Sequence, residues 1–395
     1  MAGNKREVYL DYAATTPVDP AVVEAMLPIF STDWGNASAL YHKGRVANQR
    51  ITEAREQIAL ILGCTPGELI FTGGGTESDN LALKGAAEYG LKKGLGNHLI
   101  VSAFEHHAVL HTAAYLKEKG FEITFLPVNQ DGLIDPAEVQ RAIIPRKTSL
   151  LSVMYANNEI GTIQPLGEIS RIAHQYNVPF HTDAVQAAGQ LPLKVRELGV
   201  DMLSLSAHKF YGPKGVGLLY LRQGLQLAWQ QLGGSQERKR RAGTENVPGI
   251  VGMAKALTLA EEKRPQETLR LVGLRDRLLQ GIMSQIPGTT VNGTLDPTRR
   301  LVNNLNVSFE GIDSEGLLQA LDLQGIAASN GSACNVGSIE PSHVIRAIGG
   351  VENSAAGTLR LTLGKDTSDE DIEYVLEKLP LVVSRMRALK QSSFA

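Results

Sequence analysis

The sequence predicts an α/β fold: a mostly parallel sheet with helices on both faces, and a smaller α+β domain after it. Three observations carry that prediction. Short apolar runs alternate with amphipathic segments through the first two thirds of the chain. Those runs read as strands buried on both faces, which suits a parallel sheet. Near residue 260 the texture changes to one long helical pattern, and strand-like and helical stretches follow it.

Taken in order, "ELIFT" (Glu68–Thr72) precedes a glycine turn and the helical "ESDNLALKGAAEYG". "HLIVSAF" (His98–Phe104) precedes "HHAVLHTAAYLKEKG", and "TSLLSVMY" (Thr148–Tyr155) precedes "NNEIG" and "LGEISRIAHQYN". "VPFHTDA" (Val178–Ala184) and "VDMLSLSA" (Val200–Ala207) repeat the strand–loop–helix rhythm. "LAEEKRPQETLRLVGLRDRLLQGIMSQI" is a helical pattern interrupted at Pro265, and reads as the connection into a second domain. Beyond it "NNLNVSFEG" and "GTLRLTLG" read as strands, and "EDIEYVLEKLPLVVSRMRAL" as the terminal helix. The expected division is a large domain over 17–260 and a small one made of 1–16 and 261–395.

Composition narrows the function. The 395 residues are 43% hydrophobic and 20% charged, ordinary for a globular protein. The net charge of −2 gives no reason to expect nucleic acid. No apolar run of about 18 residues predicts a membrane helix, and "MAGNKREVYLDYAATT" lacks an apolar signal core. Two cysteines, Cys64 and Cys334, cannot build a disulfide framework, so a cytoplasmic location is expected.

In an α/β sheet, ligands gather at the carboxyl ends of strands, and several such ends carry reactive residues. "FTGGGTESDN" places Gly73, Gly74, Gly75 and Thr76 between a strand and a helix, where backbone N–H groups favour an anion. A tight turn with a threonine cap is the bland alternative. "SLSAHKFYGPKG" ends a strand with Ser206, His208 and Lys209. A buried lysine can form a Schiff base with an aldehyde cofactor, and Ser206 and His208 could hold a phosphate beside it. The bland alternative is a surface lysine. Asp183 and Gln186 in "FHTDAVQ" would suit a pyridine ring, since a buried carboxylate keeps the ring nitrogen protonated; a helix cap is the alternative. His106 in "SAFEHHAVLH" could stack on a flat ring. His107 and His111 have metal-pair spacing but no third ligand, which favours a solvated helix face. In "GTLRLTLG", Leu359, Leu361 and Leu363 share one face, while Thr358, Arg360 and Thr362 share the other. Arg360 there could clamp a carboxylate, although a surface strand with one arginine is commoner. Cys64 reads as packing. The basic run Arg238 to Arg241 reads as a solvated loop, with Thr244 close behind it. "ASNGSACNVGSIEPSH" sets Cys334 among glycines and small polar residues. Such composition reads as an exposed, mobile loop, an unusual place for a free cysteine.

Together these segments resemble the cysteine desulfurases of the NifS/IscS type, in the class V aminotransferase family of pyridoxal-phosphate enzymes of fold type I. "YLDYAATTPVDP", "TGGGTESDN", "FEHHAVL", "NNEIG", "HTDAVQ", "SAHKFYGPKG", "RAGTEN", "SNGSACN", "EPSHVIRAIG" and "LRLTLG" occur in the family's order. The resemblance implies a mostly parallel seven-stranded-type sheet. It implies that Lys209 carries pyridoxal 5'-phosphate, that Asp183 pairs with the ring nitrogen, that His106 stacks on the ring and that Gln186 reaches its oxygen. Gly75, Thr76, Ser206 and His208 would hold the phosphate, with Thr244 from a second subunit, so a homodimer is implied. Asn158 and Arg360 would orient L-cysteine, and Cys334 would be the nucleophile that becomes a persulfide. No metal is expected in the resting enzyme, although Cys334 could be a transient iron–sulfur ligand. The implied partners are an iron–sulfur scaffold protein or another sulfur acceptor, with no nucleic acid and no membrane. Ser235, Ala207 and Asn330 depart from the commonest pattern without removing a functional group. The chain stops at "MRALKQSSFA", short of the longer tail that helps IscS-type members dock a scaffold, which leaves that partnership open. The alternatives are a selenocysteine lyase, an aminotransferase, which needs no thiol, or a sulfur-relay protein without catalysis.

Overall fold

The computed structural model describes residues 6–331, 342–349 and 357–392. Its strands are β1 (Val8–Tyr9), β2 (Leu69–Thr72), β3 (His98–Ser102), β4 (Glu122–Leu126), β5 (Thr148–Ser152) and β6 (Phe180–Asp183). They continue with β7 (Met202–Ser206), β8 (Gly217–Leu221), β9 (Thr289–Val291), β10 (Asn304–Phe309), β11 (Ile326–Ala327) and β12 (Thr358–Thr362). Seven of them form one sheet in the order β2-β8-β7-β6-β5-β3-β4. β8 is antiparallel to both of its neighbours and the other pairings are parallel. The sequence reading did not single out β4 or β8. The connection from β7 to β8 is too short for a crossover helix, so β8 has to return antiparallel.

β2, β3, β5, β6 and β7 therefore end on one edge of the sheet. Every strand residue of β2, β3, β5, β6 and β7 is buried, because helices cover both faces. Ile70, Leu99, Val101 and Leu150 pack on one side, and Phe71, Ile100, Leu151, Phe180 and Leu205 on the other.

A second core surrounds the antiparallel sheet β12-β10-β9. Val307, Phe309, Leu359, Leu361 and Leu363 meet Ile372, Val375 and Leu379 of the helix Asp369–Ser392 there. β1 pairs with β11, so the chain's start joins this core through Val8 and Leu10.

The expected interruption at Pro265 is absent. One helix, Val247–Gln285, runs through it. Val247, Ile250, Met253 and Leu257 lie in the larger core, and Leu271, Leu274, Leu278 and Ile282 in the smaller. Proline usually disrupts a helix interior. Here both ends are held by separate cores and Pro265 sits on an exposed stretch between them. Replacing the fully buried Leu278 by alanine should cost about 2–5 kcal/mol. Denaturant melts of the two proteins would measure it; a cost below about 1 kcal/mol would deny the helix its packing role.

Among the described residues, no helix is long and apolar enough to cross a membrane.

Candidate active site

A cavity of about 300 Å³ opens where the parallel strands end. Lys209 reaches it from the single turn Ala207–Lys209 that follows β7. Its Nζ donates to the carbonyls of Ala13 at 2.6 Å and Ala14 at 2.8 Å. Gln186 Nε2 also donates to Ala13, at 3.0 Å. The N-terminal segment thus lies across the lysine. His208 Nδ1 stands 3.1 Å from Thr15 Oγ1, and Thr16 N–H donates to the His208 carbonyl at 3.1 Å.

Beside the lysine is an anion cradle. The helix Gly75–Lys92 starts here, capped by Gly74, so Thr76 is not its cap. A Cβ on Gly75 would come within 2.8 Å of Val185 Cγ2. Glycine is required there for the helix start to press against the floor. Thr76, Ser206, His208 and Lys214 surround the adjoining space. Free N–H groups at a helix start, hydroxyls and a lysine suit a phosphate.

Asp183 closes β6 and lies in the cavity wall. Its Oδ1 accepts from Val185 N–H at 2.9 Å, so the cap-like bond and the exposure to the cavity coexist. Burial raises the pKa of Asp183, while Lys209 opposes the rise. Behind it is Asp79, whose pKa is raised further by burial and by the Asp183 charge. Asp79 Oδ1 has no hydrogen-bond partner and lies 3.6 Å from His181 Nε2. His181 is held between Ser152 Oγ at 2.8 Å and Ser204 Oγ at 3.0 Å, and burial pushes its pKa down to about 3. A neutral imidazole and a protonated Asp79 leave the negative charge to Asp183.

His106 caps the helix His107–Glu118, its Nδ1 accepting from Ala108 N–H at 3.1 Å. Burial first, then Lys209, pushes its pKa down to about 4. The ring is neutral near pH 7 and its proton sits on Nε2. His107 is not merely on a solvated face. Its ring lies 4.7 Å from that of His343 and 4.8 Å from that of His111. Among the described residues no group of three or more His, Cys, Asp and Glu side chains is placed to hold a metal.

Glu105, fully buried, accepts from Ser102 Oγ at 2.5 Å and Met154 N–H at 2.6 Å. Burial pushes its pKa up to about 8. A carboxyl raised on folding adds stability that is full below its unfolded value of about 4.3 and fades as pH climbs through 8. Thermal melts should show the parent losing ground to Glu105→Gln between pH 5 and 8. A difference that stays constant with pH would mean that Glu105 ionises alike in both states.

The polar face of β12 is not solvated. Arg360 is 2% exposed and lines the cavity. Its Nη1 donates to the Asn158 carbonyl at 2.9 Å and its Nη2 to Asp11 Oδ1 at 2.7 Å, while Nε has no partner. Such a guanidinium retains donor capacity for a carboxylate.

Gly75, Thr76, His106, Asn158, Asp183, Gln186, Ser206, His208, Lys209 and Arg360 all line this one cavity. Thr244 does not; it is exposed. Cys334 lies outside the described residues. Cys64 packs on the larger core, and burial pushes its thiol up to about 12. Half of the basic run is tied down: Arg240 donates to the Gly67 carbonyl at 2.8 Å and Arg241 to Glu77 at 2.8 Å, while Arg238 and Lys239 are exposed, as expected of a solvated loop.

A family model described as aminotransferase class-V matches residues 8–375. The chain belongs to the class-V aminotransferase family. The chain is 48% identical to "Cysteine desulfurase IscS" of Clostridium botulinum, over 97% of the chain and 96% of the relative. It is 51% identical to "Cysteine desulfurase IscS" of Methanosarcina thermophila, over 98% and 94%. Among solved structures, a "NIFS-LIKE PROTEIN" superposes with a TM-score of 0.90 at 38% identity, covering 96% of this chain and all of that one. "SspA in complex with cysteine" gives 0.78 at 38% identity, over 90% and 98%. The fold is fold type I, as the resemblance implied.

Sequence reasoning missed several residues of this cavity. Asp79, Glu159, Gly331 and His343 line it, and Ala13 and Ala14 contribute carbonyls. Asp79 had a detectable signal, an acid in the first turns of a helix after the glycine turn. Backbone carbonyls carry no residue-type signal.

Proposed function

We propose that the chain is a cysteine desulfurase that uses pyridoxal 5'-phosphate, converting L-cysteine to L-alanine and placing its sulfur on Cys334. The observation that carries this reading is the meeting of Lys209, Asp183, His106 and Arg360 in one cavity beside an anion cradle. The residues fit the cofactor. A Cβ-free helix start suits a phosphate, and a buried carboxylate and a lysine amine line the same cavity. Lys209 would carry the cofactor, Asp183 would hold its ring nitrogen, and Gln186 its ring oxygen. Gly75, Thr76, Ser206 and His208 would hold its phosphate, with Asn158 beside the ring. When bound, the cofactor supplies an electron sink for charge at the substrate Cα.

The chain's own residues do the rest. Arg360 orients the substrate carboxylate. Lys209 Nζ, steered by the Ala13 and Ala14 carbonyls, takes the Cα proton and returns protons to the product carbon. Neutral His106 presents Nε2–H and can donate toward the substrate sulfur. The Cys334 thiolate attacks that sulfur. A sulfur–sulfur bond forms, the substrate carbon–sulfur bond breaks, and the thiol proton is retained in the products, alanine and a persulfide. Chain connectivity supports this assignment: Gly331 lines the cavity, and three residues of chain reach at most about 11 Å.

The same reading takes the chain as a cytoplasmic homodimer that passes its sulfur to an iron–sulfur scaffold or another acceptor, with domains divided at 16/17 and 260/261. The exposure of Thr244, outside its own cavity, supports a role toward a second subunit. The test is a mass spectrum of the Cys334 peptide after brief exposure to L-cysteine without reductant, with alanine measured in parallel. One added sulfur matched by alanine is expected. Alanine without added sulfur would indicate a lyase, and neither product from loaded protein would indicate an aminotransferase.

A further inference from the structure

Glu159 belongs to no role assigned above. It is 2% exposed and follows β5 in "NNEIG". Its main chain is fixed from two sides. Its N–H donates to Asn157 Oδ1 at 2.9 Å. Its carbonyl accepts from Asn304 Nδ2 at 3.1 Å and Asn306 Nδ2 at 3.0 Å, both on β10 of the smaller sheet. The carboxyl is therefore held at the seam between the two sheets.

One oxygen of that carboxyl meets two distant points of the chain. Ser342 Oγ donates to Oε2 at 2.5 Å. Gly331 lies beside the same atom: a Cβ there would come within 2.7 Å of Oε2, and its φ of +93° also demands glycine. Each point is secured again nearby. Gly331 N–H donates to Ser329 Oγ at 3.0 Å, and Ser329 bridges to Arg360. His343 Nε2 donates to the Glu105 carbonyl at 2.9 Å. Residues 331 and 342 flank 332–341, and Cys334 is within that stretch.

We infer that Glu159 is a positioning residue for the nucleophile: its carboxyl bonds one end of the segment bearing Cys334 at Ser342, packs beside the other at Gly331, and so keeps the two ends together at the cavity. Joining the ends limits the positions open to any residue between them, which raises the frequency of productive approach. This inference rests on Cys334 being the sulfur acceptor.

The test uses the cofactor-loaded enzyme and one turnover of L-cysteine, quenched at intervals, with persulfide read on the Cys334 peptide. Glu159→Ala and Ser342→Ala should each slow sulfur arrival on the order of tenfold, the scale of one lost buried hydrogen bond to a carboxyl. The cofactor absorbance and its change on adding L-cysteine should stay as in the parent. Glu159→Gln keeps an acceptor for Ser342 and should recover most of the rate. Independently of activity, cleavage within 332–341 by a dilute protease should quicken in the two alanine variants and not in Glu159→Gln. Ser342→Ala removes one hydroxyl and guards against misfolding of Glu159→Ala. Parental rates and unchanged proteolysis in Ser342→Ala would overturn the inference. So would a loss of the L-cysteine absorbance change in step with the rate, which would place Glu159 in substrate binding. A parent that forms no persulfide would refute the functional reading instead, and the proteolysis would still decide whether the ends are tied.

Discussion

Lys209→Ala is expected to abolish alanine formation from L-cysteine, with a fall of about ten-thousand-fold or more. Two losses combine. The amine that would carry the cofactor is gone, and so is the group proposed to move the Cα proton; proton transfer by a positioned side chain alone is worth about 10²–10⁴. The environment of Lys209 sets the control. Its Nζ donates to two backbone carbonyls, at 2.6 and 2.8 Å. Lys209→Arg can keep donors toward Ala13 and Ala14, yet it neither deprotonates nor forms the covalent link. If charge and hydrogen bonding were enough, the arginine variant would work. Both variants are expected to fail. Alanine production by either within tenfold of the parent would remove Lys209 from the chemistry.

Cys334→Ala should separate cofactor chemistry from sulfur transfer. The cavity residues stay in place, so cofactor absorbance and its change with L-cysteine are expected to persist. Turnover to alanine should fall by roughly a thousandfold or more, since no nucleophile remains to take the sulfur. Cys64 cannot substitute. Its thiol is pushed up to about 12 by burial, which leaves almost no thiolate at neutral pH. Cys64→Ser should consequently leave the persulfide yield unchanged. Assays of alanine and of sulfur on each cysteine peptide check both variants. Undiminished alanine formation by Cys334→Ala would refute the nucleophile assignment.

The candidate site was legible where residue type and strand-end position coincide. Lys209, Asp183 and His106 each follow a buried apolar run, and that placement alone brings them to one edge of a parallel sheet. Arg360 was visible as the odd member of an alternating strand, although alternation suggested a solvated face. The structure buries that face against Asn158 and Asp11. Pro265 misled for a related reason: local backbone preference yielded to two cores that hold the helix from both ends.

By itself the sequence determined the strand–helix rhythm, the strand-end chemistry and the family, because period and residue type are local properties of the chain. Tertiary structure alone decided which distant groups meet. Ala13 and Ala14 steer a lysine about 195 residues away, Asp11 pairs with Arg360, and one Glu159 oxygen accepts from Ser342 beside Gly331. Carbonyl acceptors and a glycine chosen for contact have no pattern along the chain. They acquire meaning only when packing removes water and each polar group must find its partners within the fold.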